Sequence, residues 1–269
     1  MELQTISNTA IIGVICSIAL SVGVPLALLI VGKVKYQARI SSFFIGAGTF
    51  FLFAMVFEQL LHYLVVLVCG LNAQSNPWLY YVYAAAAAAV FEETGRILAM
   101  KFWMKKRLDF PNALMYGFGH GGIEAVLLVG LTSISTLRSM LMINSGAMQN
   151  ALAALPAESA RQTLSQLSSL WTTPASLFFV GGIERLGAMT LHIGLSLLIY
   201  RAVTSGKRGV AALAYGIHFA VDFFAVAFAS VLPVYLLELI VMALAVGTLV
   251  LSLKLNRQET YRDRGIQKI

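Results

Sequence analysis

Seven long apolar runs, separated by short polar connections, dominate the pattern of residues along the chain. The runs lie near 9–32, 42–69, 78–103, 111–131, 174–200, 209–228 and 231–253. A helix of about 20 apolar residues crosses the hydrocarbon core of a membrane and satisfies its own backbone hydrogen bonds in lipid. The pattern therefore predicts an all-α fold, a polytopic transmembrane helical bundle of about seven spans. We expect a single integral membrane domain over residues 1–269.

The composition agrees with a membrane protein and excludes a water-soluble one. Of the 269 residues, 59% are hydrophobic and only 12% are charged, whereas soluble domains are about 45–50% apolar and roughly 25% charged. The net charge is +7. The basic residues stand at the ends of the apolar runs, which favours membrane orientation over nucleic-acid binding. We therefore expect membrane lipid, and no nucleic acid, as a partner.

The distribution of basic residues predicts the orientation of the chain in the membrane. Fifteen of the 19 lysines and arginines fall after the first, third and fifth runs or in the C-terminal tail: Lys33, Lys35, Arg39, Lys101, Lys105, Lys106, Arg107, Arg201, Lys207, Arg208, Lys254, Arg257, Arg262, Arg264 and Lys268. Only Arg138 and Arg161 fall in the opposite connections. Loops rich in Lys and Arg stay in the cytoplasm. The N-terminus is therefore predicted outside and the C-terminus in the cytoplasm.

The longest connection, residues 132–173, lies on the predicted outer side and is rich in Ser, Thr, Gln and Asn. Leu164, Leu167 and Leu170 or Trp171 recur in it at helical spacing. This pattern is typical of an amphipathic helix that lies on the membrane surface. Such a helix is either an interfacial anchor or a lid over a site, and the sequence leaves both readings open.

Ionisable residues are numerous inside the predicted spans. Because charge is costly in lipid, such residues face the bundle interior and mark a site or a structural pair. They are Glu58, His62, Glu92, Glu93, Arg96, His120, Glu124, Glu184, Arg185, His192, His218, Asp222 and Glu238. Four of them, on four different spans, lie ~14–18 Å below the cytoplasmic boundary at 1.5 Å per residue: Glu92, His120, His192 and His218. A second layer slightly further out holds the carboxylates of Glu124, Glu184 and Asp222, and Glu58 is a further candidate for it.

Spacing within the predicted helices indicates pairs among these residues. Glu92 and Glu93 precede Arg96 by four and three residues, so the arginine can pair with either carboxylate. Two histidines precede a carboxylate by four residues: His120 before Glu124, and His218 before Asp222. Partners across helices are equally open. Glycines surround His120 and would let helices approach closely there, whereas Glu58 and His62 lack such a cluster and are predicted to be structural.

A glutamate and histidines in a wet pocket suit proton transfer to and from water. In that reading Glu92 removes a proton from water with help from His120, and His218 stabilises the oxyanion of a cleaved amide. A second reading is a zinc site, because Glu92, His120, His192 and His218 all carry acceptable zinc ligands. The chain has no HExxH motif and no G-x-S-x-G elbow, which the zincin and serine-hydrolase classes require.

Three ordered motifs resemble those of the type II CAAX prenyl endopeptidase and bacteriocin-processing superfamily of glutamic intramembrane proteases. The stretch 92–96, Glu-Glu-Thr-Gly-Arg, is similar to its EExxxR motif, 116–120 to FxxxH, and 218–222 to HxxxN. Within that superfamily, the Gly-His-Gly-Gly-x-Glu stretch at 119–124 and the chain length most resemble the YhfC family of membrane peptidases. The resemblance covers roughly spans three to six.

The resemblance implies an intramembrane protease in which Glu92 activates water and His120 assists it. By the same resemblance, His218 together with Asp222 stabilises the oxyanion. The chain departs from the family pattern at four points, of which the replacement of Phe by Tyr116 is the mildest. Glu93 and Arg96 are one residue closer than in EExxxR, which puts the role of Arg96 in doubt, and Asp222 replaces an asparagine. His192 has no counterpart in the motif set.

These observations predict an intramembrane endopeptidase that hydrolyses a peptide bond of a membrane-associated protein or peptide. Glu92, Glu93, His120, His218 and Asp222 form its catalytic set. Four residues support them: Arg96, Glu124, Glu184 and His192. No cofactor is required in the glutamic reading, and zinc is the cofactor in the metal reading.

Two rival functions use the same polar residues. One is a non-enzymatic scaffold or chaperone that binds a transmembrane segment, since the superfamily also resembles the non-catalytic scaffold subunit of gamma-secretase. The other is a proton-coupled transporter, although no inverted repeat supports it. The bacterial cytoplasmic membrane is the predicted location, and the sequence does not predict an oligomeric state or a particular substrate.

Overall fold

The computed structural model describes residues 2–263, with side chains described as far as residue 257. Every regular element in that range is helical. The helices are α1 (Asn8–Val34), α2 (Ile40–Val68), α3 (Pro77–Leu98), α4 (Phe110–Asn144), α5 (Ala147–Ala153), α6 (Ala157–Leu167), α7 (Leu177–Ser205), α8 (Arg208–Phe228) and α9 (Val234–Asp263). Short helical turns follow α3 and α6: Ala99–Trp103, Lys105–Arg107 and Ser169–Thr172. The all-α prediction is confirmed.

Six of these helices are long and apolar enough to cross a membrane, within the described part of the chain: α1, α2, α4, α7, α8 and α9 as far as Arg257. The sequence predicts seven spans. The predicted span that is absent from these six is the one that contains α3. Its 22 residues reach ~33 Å at 1.5 Å per residue, so its length would suffice. Glu92, Glu93 and Arg96 lie in its second half and make it less apolar than the other six.

The connection predicted at 132–173 begins later in the structure, because α4 continues to Asn144. Polar residues in this extension bond to their own helix. The Thr132 hydroxyl donates to the Leu128 carbonyl at 3.0 Å, and the Ser139 hydroxyl donates to the Ser135 carbonyl at 3.1 Å. Hydroxyl side chains satisfied in this way remain compatible with a helix. Helix α6 occupies the place of the predicted amphipathic helix.

The described residues form two compact units, and α1, α4 and α7 contribute to both. Unit 1 comprises residues up to 24 and 125–186, and unit 2 comprises 25–124 and the residues from 187 onward. In unit 1 the Asn144 side chain accepts from the Ile6 amide at 2.8 Å and donates to the Ile6 carbonyl at 2.9 Å. Asn144 thereby satisfies both backbone groups of a residue that precedes α1.

Glycines in unit 2 allow close helix packing around the predicted polar plane. A Cβ atom at Gly119 would overlap the carbonyl oxygen of Phe43, and one at Gly46 would overlap that of Tyr116. Helices α2 and α4 therefore touch through their backbones. On another face of α4, a Cβ at Gly121 would lie 3.0 Å from the Met189 Cα of α7. This packing explains the glycine cluster in the sequence and buries the residues of α4 between its neighbours.

Three of the tail cations counted in the sequence, Arg262, Arg264 and Lys268, lie outside the residues whose side chains the structure describes. The cytoplasmic orientation of the tail stays a prediction, as does the single membrane domain.

Candidate active site

The four polar residues predicted to share one depth meet in unit 2, where three histidines surround the Glu92 carboxylate. They come from α3, α4, α7 and α8. The Nε2–H of His120 donates to Oε2 of Glu92 at 2.8 Å. The Nδ1 atom of His192 lies 3.7 Å from the same oxygen, and Nε2 of His218 lies 4.0 Å from Oε1. Glu92 is therefore the centre of one buried cluster that draws on four helices.

Arg96 supplies the permanent positive charge of this cluster and is fully buried, with 0% of its side chain exposed. Its Nη1 atom contacts Oε1 of Glu93 directly. Its Nη2 atom donates to Oε2 of Glu92 at 3.3 Å and to Nδ1 of His192 at 2.6 Å. Both predicted pairings within α3 are thus present. One guanidinium links two carboxylates and an imidazole from a second helix, as its fork of donors allows.

Two histidines each contact a second carboxylate through the ring nitrogen that faces away from Glu92. The Nδ1–H of His218 donates to Oε1 of Glu93 at 2.7 Å. The Nε2 atom of His192 contacts Oε2 of Glu124 directly. A carboxylate on the far nitrogen fixes the orientation and tautomer of an imidazole. Glu93 and Glu124 therefore hold two of the three histidines in place.

The partner of Glu124 differs from the same-helix expectation. Spacing along α4 would place Glu124 against His120. In the structure Glu124 instead contacts His192, which belongs to α7. The reason is the close approach at Gly121, where a Cβ atom would lie only 3.2 Å from the His192 Cβ. Asp222 does follow the spacing rule, with Oδ2 3.3 Å from Nε2 of His218.

His120 has an apolar side and a polar side. The Phe50 ring meets it edge-on at a centroid distance of 5.3 Å, while its Nε2 faces Glu92. Its Nδ1 atom is buried and has no hydrogen-bond partner among the described residues. Since Nε2 carries the proton in the hydrogen bond to the carboxylate, Nδ1 presents a lone pair inside the protein. His120 can therefore exchange a proton with Glu92 through Nε2, while Nδ1 remains an acceptor without a partner among the described residues.

The acidic pair of α3 carries more negative charge than the cation it shares. Two buried carboxylates, those of Glu92 and Glu93, both contact the one guanidinium of Arg96. Buried charge without compensation is strongly unfavourable. The excess must be balanced by protons on the carboxylates or histidines, or by an additional cation.

The donor set fits a divalent metal ion. Glu92, His192 and His218 each offer one ligand atom, and these atoms lie within 4.8 Å of one another. Ligand atoms around tetrahedral zinc are separated by about 3.3 Å, given bonds of roughly 2.0–2.1 Å. Binding through Nδ1 of His192 would displace the hydrogen bond that this atom accepts from Nη2 of Arg96. The carboxylates on the far ring nitrogens complete the arrangement that is usual for histidine ligands.

Exposure increases in one direction across the cluster. The Glu93 side chain is 0% exposed, that of Glu92 8% and that of Asp222 33%. The cluster therefore reaches the surface at Asp222 on α8, while the ion pair of Glu93 and Arg96 forms its closed end.

Two other predicted polar sets form contacts of their own. Glu184 belongs to unit 1, where its carboxylate contacts Arg185 directly. Glu58 lies 3.2 Å from Nε2 of His62, as predicted, and the other ring nitrogen lies 2.7 Å from the Tyr83 hydroxyl. Tyr83 was missed because a tyrosine near a helix start also fits the membrane interface.

A further contact that the sequence reasoning missed connects the two helices that carry the acidic pair and His218. The hydroxyls of Thr94 on α3 and Tyr215 on α8 are 2.8 Å apart. Thr94 lies between Glu93 and Arg96, and Tyr215 is three residues before His218. The only signal was that each of them lies within one turn of a charged residue or His218 on its own helix.

The apolar helices and the buried cluster of glutamates and histidines define a multi-pass integral membrane protein with a polar centre. The chain belongs to the YhfC intramembrane metalloprotease family, whose family model matches residues 17–245. It is 37% identical over 204 residues to the uncharacterized membrane protein YhfC of Bacillus subtilis (strain 168), covering 75% of this chain and 78% of that relative. No solved structure matches it significantly. Membership of this family supports an intramembrane peptidase, as the sequence predicts.

Proposed function

We propose that this chain is an intramembrane endopeptidase in which Glu92 and His120 activate the water that hydrolyses a membrane-associated substrate. The observation that carries this proposal is the contact between Nε2 of His120 and Oε2 of Glu92, 2.8 Å long. The pair is buried in the polar cluster of a chain that belongs to an intramembrane metalloprotease family. The resemblance to the CAAX-type superfamily supports the same assignment of Glu92.

The proposed reaction uses Glu92 as the base. The Glu92 carboxylate takes a proton from water while the water oxygen forms a bond to the carbonyl carbon of the scissile amide. His120 donates a hydrogen bond to the carboxylate and orients it. The C–N bond then breaks. The leaving nitrogen takes the proton that Glu92 received from water, while His120 remains hydrogen-bonded to the carboxylate. Each proton removed from water is thus returned to a product.

His218 is assigned to the developing oxyanion. Its Nδ1–H is held by Glu93 at 2.7 Å and its Nε2 lies on the side of Glu92 and Asp222. In its imidazolium form the His218 ring also carries a proton on Nε2, and a donor fixed before the reaction stabilises transition-state charge without reorganisation. Glu93, which is fully buried, orients the ring, whereas Asp222 lies at the exposed edge where a substrate would enter.

Glu92, His192 and His218 are the residues that would hold a zinc ion. When bound, zinc acts as a Lewis acid on a carbonyl oxygen or on water. Glu124 and Glu93 would keep the two imidazoles oriented through their far nitrogens, and His120 would remain beside the Glu92 carboxylate. Both versions of the proposal therefore use the same side chains.

The experiment compares Glu92→Gln with Glu58→Gln in cells that co-express a candidate membrane substrate. Both glutamates are buried in helices, and each contacts a histidine. We expect Glu92→Gln to abolish cleavage and Glu58→Gln to preserve it, with both variants folded in detergent. Full cleavage by Glu92→Gln would overturn the assignment. A parent that binds a transmembrane segment but never cleaves it would instead establish the scaffold function.

A further inference from the structure

A cavity of ≈ 240 Å³ lies between the ends of α3, α7 and α8 in unit 2. Three cations line it: Lys101, Lys207 and Arg208. Its apolar wall includes Ile97, Ala202 and Val203. The polar cluster around Glu92 does not contribute to it, so the cavity is a separate feature of the same unit.

Every ionisable residue that lines this cavity is basic. Lys101, Lys207 and Arg208 are all exposed, and none of them forms an ion pair with a carboxylate among the side chains that the structure describes. Like charges around a small space repel one another. An anion in the cavity would therefore relieve repulsion and gain attraction from three cations at once.

Local backbone structure brings the three cations together. Helix α7 ends at Ser205, and Gly206 has a φ of +68°, the left-handed conformation that commonly ends a helix. Lys207 is extended, and α8 begins at Arg208. Lys101 reaches the same place from the π-helical turn Ala99–Trp103 that continues α3. The cluster thus depends on the fold and not on a run of basic residues.

The surroundings of the cavity indicate where its anion comes from. Phe102 and Trp103, next to Lys101, are 69% and 50% exposed, and exposed aromatic residues at helix ends mark the headgroup level of a membrane. At ~30 Å³ per water molecule, the cavity holds the volume of about eight waters. That space accommodates a phosphate with its ester groups, while the apolar wall suits the glycerol end of a lipid.

We propose that this cavity binds a phosphate anion, carried by the headgroup of an anionic phospholipid or present as free inorganic phosphate. Basic pockets between membrane helices are suited to such headgroups. Bound there, the phosphate bridges Lys101, which follows α3, and Arg208 of α8. Those two helices carry Glu93 and His218, which are hydrogen-bonded to each other. The ligand would therefore stabilise the packing on which the polar cluster depends.

The test measures thermal unfolding and lipid binding of the purified full chain, after delipidation in a neutral detergent. The probes are phosphatidylglycerol, phosphatidylcholine and inorganic phosphate. The pocket variant is Lys207→Gln/Arg208→Gln. The control, Lys105→Gln/Lys106→Gln, removes the same charge from the adjoining connection but does not line the cavity. If the double pocket variant does not fold, the single variant Lys101→Gln replaces it as the test of the cavity.

We expect phosphatidylglycerol to bind and raise the unfolding temperature, and phosphatidylcholine to have little effect. The pocket variant should lose on the order of tenfold or more in affinity, and the control should keep it. If inorganic phosphate reproduces the shift and displaces the lipid, the site takes free phosphate. Equal binding of the two lipids, or equal losses in pocket and control variants, would overturn the proposal.

Discussion

The Nε2 atom of His120 on α4 lies 2.8 Å from Oε2 of Glu92 on α3, although 28 residues separate them along the chain. The same carboxylate oxygen accepts from Arg96 at 3.3 Å. Glu92 is thus held from two sides, by a permanent cation of its own helix and by an imidazole of the next. An ion pair alone would need only the arginine. The second contact gives the carboxylate a neighbour that can pass a proton.

The first prediction tests this neighbour with His120→Gln. Glutamine keeps a donor near Glu92 but cannot exchange a proton at neutral pH. General acid–base assistance contributes typically 10²–10⁴-fold, so we expect turnover to fall by roughly that factor in a single-substrate cleavage assay. The control is His62→Gln, which alters a histidine that also contacts a glutamate. Equal activity of both variants would exclude His120 from proton transfer.

The second prediction concerns the closed end of the cluster. Glu93→Gln leaves Arg96 and His218 without their buried carboxylate, and breaking a fully buried pair costs about 3–5 kcal/mol. We expect a loss of that order in the free energy of unfolding, measured in detergent, together with lost activity.

Asp222→Asn is the matched control for Glu93→Gln, because both convert a carboxylate beside His218 into an amide. Asp222 is one-third exposed, and Glu93 continues to hold the ring through Nδ1. We therefore expect only a mild effect on stability and activity. A loss as large as that of Glu93→Gln would mean that Asp222, and not Glu93, positions His218.

Much of the cluster was predictable from the sequence, for a physical reason. Charged residues in lipid are so costly that they must face one another, and a helix converts sequence number into depth at 1.5 Å per residue. Glu92, His120, His192 and His218 could therefore be placed together without knowing how the helices pack. The Glu93–Arg96 pair follows from helix geometry alone.

Contacts that depend on the rotation of one helix against another were not predictable. Depth does not tell which side of α4 faces α7, so Glu124 could not be assigned to His192. The Tyr83 hydroxyl and the cavity at Lys101 likewise depend on packing. The status of α3 as a span also stays a prediction, because Glu92, Glu93 and Arg96, its part of the cluster, make this helix less apolar than the six candidate spans.

The third prediction tests the close packing of α2 and α4. A methyl group at Gly119 would overlap the Phe43 carbonyl oxygen, which belongs to rigid helix backbone. Overpacking of this kind typically costs about 1–3 kcal/mol, so Gly119→Ala should lower the free energy of unfolding and displace the neighbouring His120. Gly48→Ala is the control, since nothing lies within 4 Å of its Cβ position. If both variants unfold alike, the backbone contact is not important for stability.

The fourth prediction concerns orientation, which rests on the unequal distribution of lysines and arginines. A reporter fused after the last residue should report the cytoplasm. One inserted in the connection 154–156, close to Asn150, should report the outside. Both fusions must be made in the otherwise unchanged chain, so that the charge distribution is preserved. The reverse pattern would overturn both the orientation and the depths counted from the cytoplasmic side.

The last prediction tests the metal reading through a residue that would not bind the metal itself. Glu124 contacts the far nitrogen of His192, and loss of such a partner typically weakens metal binding 10–100-fold. We expect Glu124→Gln to lower zinc affinity by roughly that factor, measured by competition with a chelating dye. His192→Ala and His218→Ala should lose the ion entirely, while Glu184→Gln, a carboxylate of unit 1, should leave affinity unchanged. Because the readout is binding, the result does not depend on knowing the substrate. A parent chain that cleaves its substrate after exhaustive chelation, and binds no zinc, would show that Glu92 and His120 act without a metal.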